Sequence, residues 1–575
     1  MTAIPEVPPA FILIAAGLLA AVLPRLGRAI VCVAAPLLAL FLIFRFETGV
    51  LSTVSFAGFD LVLLQVGKSN FVFGIIFLLI SSVASLYAWH LEDRSQQVAA
   101  TLYAAGALGV TFCGDFLSLL LFWELMAIAS SWLIFARRES ASTAAGFRYL
   151  LVHFTGGSLL FGGILLIYAQ TGSLALGALS PDQGIAAWLI LLGVLVNVAL
   201  PPFHAWLPDA YPRATVTGAI FMSALTTKSA VYVLMTLFPG WDILIYGGVT
   251  MALYGVVYAV LANDIRQILA YHIVSQVGYM VTGVGIGTAL SLNGTAAHAY
   301  SHILYKALLF MGAGAVLQAT GKSKLTELGG LRKKMPLVLA LLMVGAFSIS
   351  GFPLFNGYIS KSMIVSSAGE AHLYAIMLLL LLASVGTFLH TGLKIPVFTF
   401  WGPDQGLEAK PLPWNMYAAM GILAFLCTFY GIFPGALYRF LPFEAEYHPY
   451  TAYHLIEIVQ LLSFTFVGFW VLREKLAGEP YIPLDTDWFY RRPARLYGAL
   501  TVLPVNRFFE FALKVRVSVV ESVQTHFGNP LAWFRSKESS RDAYDADRER
   551  PAISLGIALI LVMTLLVSLL GHFVG

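Results

Sequence analysis

The chain has 575 residues, of which 59% are hydrophobic and 11% charged, and its formal net charge is +4. Soluble domains carry about 25% charged residues, so a water-soluble fold is excluded, and no basic stripe suggests nucleic acid. Cys32, Cys113 and Cys427 stand singly in apolar runs; neither a disulfide framework nor a metal site is expected, and no nucleotide, flavin or iron–sulfur motif implies a cofactor.

Apolar runs of the length needed to cross a hydrocarbon core of about 30 Å recur from end to end. In order they predict sixteen spans, at 9–24, 28–44, 70–91, 98–113, 115–136, 146–170, 184–207, 215–237, 240–262, 267–289, 293–319, 336–363, 372–400, 413–437, 452–472 and 552–574. The N-terminus lacks the basic region of a signal peptide, so the first run is expected to be a retained span. Loops after odd-numbered spans hold Arg25, Arg28, Arg94, Arg137, Arg138, Arg213, Arg266, Lys322, Lys324, Arg332, Lys333, Lys334 and Lys410, against little beyond Arg45, Lys68 and Arg439 elsewhere. By the positive-inside rule both termini are expected on the outer side of a cell (inner) membrane.

Ionisable groups at mid-membrane cost roughly 2.5–3.5 kcal/mol each on insertion scales, and they commonly mark ion or proton paths. In chain order they are Glu124, Lys228, His298, His302, Lys306, Lys361, His390 and Lys394. Glu124 is the only carboxylate in its span and needs a buried cation; Lys228 is the expected partner, as a switchable pair or as a static bridge. His298, His302 and Lys306, spaced i, i+4, i+8, share one helical face, and histidine titrates near neutrality, as a relay requires. His390 and Lys394 supplement them or make a structural hydrogen bond. Breaks at Asn197 to Pro202 in span 7 and Ser350 to Pro353 in span 12 free backbone groups that protein or water must satisfy. Matching breaks suggest an inverted-repeat transporter, with spans 4–8 and 9–13 as the two five-helix repeats.

The stretch 476–550 is too charged to cross. Within it Arg507, Glu510, Lys514, Ser518, Glu521 and Thr525 form one polar stripe opposite Phe508, Phe511, Val515, Val519 and Val523, which predicts a lateral amphipathic helix before the last span. The expected division is 1–97 (spans 1–3 and an outer loop), 98–237 and 240–400 (the repeats), 413–475 (spans 14–15), 476–550 (lateral segment) and 551–575 (final span).

Six strings, FWELM (122–126), LPPFHAWLPDAY (200–211), DIRQILAYHIVSQVGYM (264–280), HAYSHILYKALLF (298–310), ELGGLRKKMP (327–336) and SGFPLFNGYISKSM (350–363), resemble those of the antiporter-like membrane subunits. That family is shared by Mrp-type cation/proton antiporters, respiratory complex I and membrane-bound hydrogenases. The SKSM ending and the length are most similar to an Mrp D-type subunit, whereas the tail resembles the large complex I subunit. The resemblance implies an all-α polytopic fold with a fourteen-helix core in two inverted repeats, each with a half-channel. It also implies roles: Glu124 as modulating carboxylate, Lys228 as bridging lysine, His298, His302 and Lys306 as central relay, and Lys361 as the lysine near the exit. Relatives carry a lysine where this chain has Asn197 and a histidine where it has Met222, which puts the first half-channel in doubt. Asn197 is expected either to leave Lys228 to pair directly with Glu124 or to help coordinate a cation or water.

The resulting expectation is a subunit of a multi-subunit membrane complex that exchanges protons for Na+ or another monovalent cation, with other membrane subunits as partners and no catalysis of its own. The alternatives are a proton-pumping subunit of a redox complex, an energising subunit for uptake of another solute such as inorganic carbon, and a degenerate scaffold.

Overall fold

A computed structural model describes residues 6–479, 484–527 and 553–574. The described chain is almost entirely helical, and ten of its helices are long and apolar enough to cross a membrane. Shorter apolar helices, among them Pro9–Val22, Ile185–Val198 and Pro336–Ser350, fall in further predicted spans.

Helix ends follow local chemistry. Asp93, Asp115 and Asp264 cap the helices Arg94–Phe112, Phe116–Phe135 and Ile265–Ile286 by accepting backbone amides of the first turn, which supplies partners for donors the helix leaves orphaned. Gly172, Gly287 and Gly321 end three helices in the left-handed region, where glycine carries no Cβ penalty.

The loop expected after the second span is a β-hairpin, Gly49–Phe56 paired antiparallel with Phe59–Val66. Its turn residues Ala57 and Gly58 both have positive φ, 50° and 84°, as a two-residue primed turn requires. Asp115 ties the hairpin to the bundle by accepting the Val62 amide at 2.8 Å.

The 32-residue helix Ala289–Thr320 is the axis of the bundle, with every residue from Ser291 to Val316 buried. It packs against Gly218–Ala224 on one side and against Pro336–Ser350 and Asn356–Glu370 on the other. Groups along this one helix therefore face both halves of the chain.

The expected break in span 7 is present, and three corrections concern a further break, a boundary and the loop charges. Span 7 stops at Val198, with Ala199 in the left-handed region (φ 66°), and the chain resumes only as the short helix Trp206–Ala210. Span 8 is itself broken at Leu225, between Gly218–Ala224 and Thr226–Leu237, although no proline or glycine stands at the break. In span 12 the second half-helix, Asn356–Glu370, runs past the expected end at 363. Two of the arginines counted as loop charges, Arg28 and Arg266, are buried at helix starts, so the charge asymmetry rests on the remaining basic residues.

The described chain divides into two compact units, residues up to Asp487 and from Trp488 onward, so residues 476–479 and 484–487, which were grouped with the lateral segment, belong with the bundle. The second unit contains the helices Trp488–Tyr497 and Leu503–Phe527, joined through one π-helical turn, and the apolar helix Ile553–Val574. Leu503–Phe527 exposes Phe508, Phe511, Val515 and Val519; the Thr525 side chain lies outside the described residues.

Candidate functional site

The central helix brings His298, His302 and Lys306 into a fully buried row. His298 Nδ1 lies 3.0 Å from Ser360 Oγ on the second half-helix of span 12. The His298 and His302 rings are 6.2 Å apart, and Tyr305 stands edge-on to His302 at 5.3 Å. His298 Nε2, both nitrogens of His302 and Lys306 Nζ have no protein hydrogen-bond partner. Buried polar groups are rarely left unsatisfied, so these atoms mark where internal water is expected.

Lys361 sits at the second break. Its ammonium donates to Ile349 O at 2.9 Å and to Ser384 Oγ at 3.4 Å, and lies 5.4 Å from the Tyr279 ring centroid. Gly351 ends the first half-helix at φ 78°. Gly357 lets the second half-helix approach, since a Cβ there would be 1.8 Å from Ser348 O. The lysine thus bonds a carbonyl near the break, as discontinuous helices at membrane depth require. A cavity of about 30 Å³ adjoins Lys361 and Ser384 and reaches His454 and Glu457 on the helix Ala452–Leu472. That is room for a water or two. The sequence reading missed His454 and Glu457, which it took as part of a plain span.

His390 and Lys394 lie on a π-helical segment, Phe388–Lys394, and Lys394 makes the structural hydrogen bonds that were one of the two expectations. Lys394 Nζ donates to Val260 O at 2.6 Å and to Ala262 O at 3.3 Å, capping the helix Asp242–Leu261. The His390 ring is 6.0 Å from His272. His272 was overlooked although it lies inside one of the six strings; it is fully buried, with neither nitrogen partnered by protein. Its signal was the same as that of the other histidines: a titratable ring in an apolar run. His153, stacked on Tyr149 at 3.9 Å, was missed in the same way.

The first half is arranged differently. Glu124 and Lys228 form no ion pair among the described residues. Lys228 Nζ turns back on its own broken helix, donating to Ser223 O at 2.6 Å and to Thr227 Oγ1 at 3.1 Å. The break at Leu225 releases that carbonyl, and the Thr226 amide is taken by Tyr103 Oη at 2.9 Å. The Lys228 helix, Thr226–Leu237, packs against the central helix that carries His298, His302 and Lys306, so Lys228 is placed beside that row instead. Asn197 is buried at the end of Ile185–Val198 with its Oδ1 unpartnered, and the nearby carbonyl of Val196 is bound by Trp206 Nε1 at 2.9 Å. In this break a neutral indole does what Lys361 does in the other.

Glu124 is half-buried and faces Gly157, where an added Cβ would lie 1.8 Å from its Oε1. Gly157→Ala must push the carboxylate aside. The expected result is a loss of proton flux of about fivefold, equivalent to about 1 kcal/mol on the barrier, matching that of Glu124→Gln; full flux in Gly157→Ala vesicles would show that the carboxylate's place is immaterial.

Residues 113–387 match the family described as NADH:quinone oxidoreductase/Mrp antiporter, transmembrane. The chain is 31% identical over 353 residues to NADH-quinone oxidoreductase subunit N of Desulforudis audaxviator, covering 56% of this chain and 70% of that protein. It is 33% identical over 325 residues to the D-type Na(+)/H(+) antiporter subunit of Alkalihalophilus pseudofirmus, covering 53% of this chain and 66% of that protein. In fold it is similar to a chain of the Mrp complex from Dietzia sp., with a TM-score of 0.66 at 21% identity, over 80% of this chain and 98% of that one. A multi-pass membrane protein with broken helices in spans 7, 8 and 12 around a buried polar axis defines the class. The chain belongs to the antiporter-like membrane subunit family common to Mrp antiporters and NADH:quinone oxidoreductases.

Proposed function

We propose that the chain is a proton-translocating subunit of a multi-subunit complex in a cell membrane, exchanging protons for Na+ or another monovalent cation. The observation that carries this reading is the buried array running from Lys228 through His298, His302 and Lys306 to Lys361, with His272, His390 and Lys394 beside it. Eight titratable groups in an apolar interior, several without protein partners, are too costly to keep as packing alone. Protonation passed along them moves charge between the two repeats, 98–237 and 240–400, and the cavity beside Lys361 offers the way out. The likeness to a D-type Na(+)/H(+) antiporter chain supports the cation side of the exchange.

The test is proton flux in vesicles containing the complex, with and without Na+ or K+. Flux that needs neither cation, and runs only when a partner subunit turns over a redox substrate, would replace exchange by pumping. Asn197 tests the first half. In Asn197→Lys a second cation enters near Lys228, and the expected outcome is a changed cation dependence and a flux altered at least about threefold. Identical cation dependence and rate would remove Asn197 from the pathway.

A further inference from the structure

The stretch that follows the helix Ala452–Leu472 returns to the bundle and places one carboxylate against the first broken helix. Asp485 is buried, at 8% exposure. Its Oδ1 accepts from Tyr254 Oη and its Oδ2 from Tyr271 Oη, each at 2.6 Å. His204 Nε2 lies 3.2 Å from Oδ1. Neighbouring bonds fasten the segment on both sides: Tyr258 Oη donates to Leu484 O at 2.8 Å, and Thr486 Oγ1 donates to Pro202 O at 3.1 Å. His204 is itself fully buried in the break, edge-on to Tyr254 at 4.5 Å; neither ring nitrogen makes a well-aligned protein hydrogen bond, and the Asp485 contact at Nε2 is an ion-pair distance.

We propose that Asp485 is a positioning carboxylate that holds a proton on His204, and that this pair is the proton-holding site of the first broken helix, where Asn197 cannot titrate. The inference rests on the proton-translocating reading above. A carboxylate on one imidazole nitrogen fixes the ring and favours its charged form, leaving the other nitrogen to exchange. The proton enters and leaves at Nδ1 through water in the break, while Asp485 stays anionic throughout. Burial alone would raise the Asp485 carboxyl, but His204 and the hydroxyls of Tyr254 and Tyr271 outweigh it and hold the group well below the usual carboxylate range. The other titratable groups around the pair are Tyr258, stacked on Tyr254 at 4.4 Å, and Asp487, which acts on Tyr271.

The experiment uses the assembled complex with Asp485→Asn, Asp485→Glu, His204→Gln and, as a control, Lys361→Arg. Proton flux in vesicles is measured across pH 5.5 to 8.5, and imidazolium is followed by infrared difference spectroscopy over the same range. Asparagine removes the charge, keeps one tyrosine's donation at Oδ1, and reverses the other bond, its Nδ2 donating to the tyrosine Oη. The expected result is an assembled Asp485→Asn complex with flux down at least about fivefold and with its imidazolium signal and flux profile moved to lower pH. Asp485→Glu restores most of both, and Asp485→Asn adds nothing in a His204→Gln background. An unmoved pH profile in Asp485→Asn would overturn the proposal, whether flux is kept or lost, because a mere tether carries no proton. Parental flux in Lys361→Arg would remove Lys361 from the pathway and leave the pair untouched, whereas absence of proton flux in the parent complex would overturn the translocation reading, and the pair would then be judged on the infrared titration alone.

Discussion

Lys361→Ala in the assembled complex is expected to lower proton flux by at least about tenfold, which corresponds to about 1.4 kcal/mol added to the rate-limiting transfer. The lysine is the titratable group at the second break and adjoins the water-sized cavity leading toward His454 and Glu457. Its bond to Ile349 O also stabilises the break, so alanine has a structural cost as well. Lys361→Arg separates the two effects. Arginine keeps a donor for the carbonyl but does not give up its proton, so Lys361→Arg should assemble and melt like the parent while losing flux as Lys361→Ala does. Parental flux in the arginine variant would mean that Lys361 is a structural bolt.

The second large effect concerns stability. Arg266 is 1% exposed at the start of the helix Ile265–Ile286. Its guanidinium donates to Pro212 O at 2.9 Å, Ala214 O at 3.0 Å, Tyr211 O at 3.1 Å and Thr215 O at 3.2 Å. Those carbonyls belong to the connection between the first broken helix and Gly218–Ala224, so one side chain sets where the Lys228 helix begins. In Arg266→Leu four acceptors, two of them buried, lose a charged donor, Pro212 O alone keeping another from Arg137, and hydrogen bonds to charged groups contribute about 1.5–3 kcal/mol each. Partial rehydration reduces the sum; a loss of at least about 3 kcal/mol remains. Arg266→Lys should fall between, because one ammonium cannot match the guanidinium fork. Thermal unfolding of the detergent-solubilised complex decides the matter, and an unchanged midpoint for Arg266→Leu would show the carbonyls to be satisfied in another way.

Local signals located the array but not its connections. His298, His302, Lys306 and Lys361 stood out because each interrupts an apolar run, and the break near Gly351 was readable from glycine and proline. The break at Leu225 was not, since none of its residues is a helix breaker; Tyr103, from another helix, supplies the hydroxyl that takes the released amide. Glu124 and Lys228 suggested a pair by charge alone, yet Lys228 is spent on the carbonyl that this hidden break exposes. The hairpin was legible in hindsight from the Ala57-Gly58 turn between alternating residues.

Hydropathy and the placement of charge determined by themselves that this chain folds in a membrane as a many-helix bundle, and the six strings assigned its family. Both are properties of short windows, because a span must satisfy its own backbone and hide its own apolar surface. Which titratable groups meet was decided only by tertiary structure. Asp485 lies 231 residues from Tyr254, in a polar stretch with no local mark of importance. Its role follows from burial beside His204, which depends on how helices pack and where the chain returns, and no periodicity within a segment encodes that.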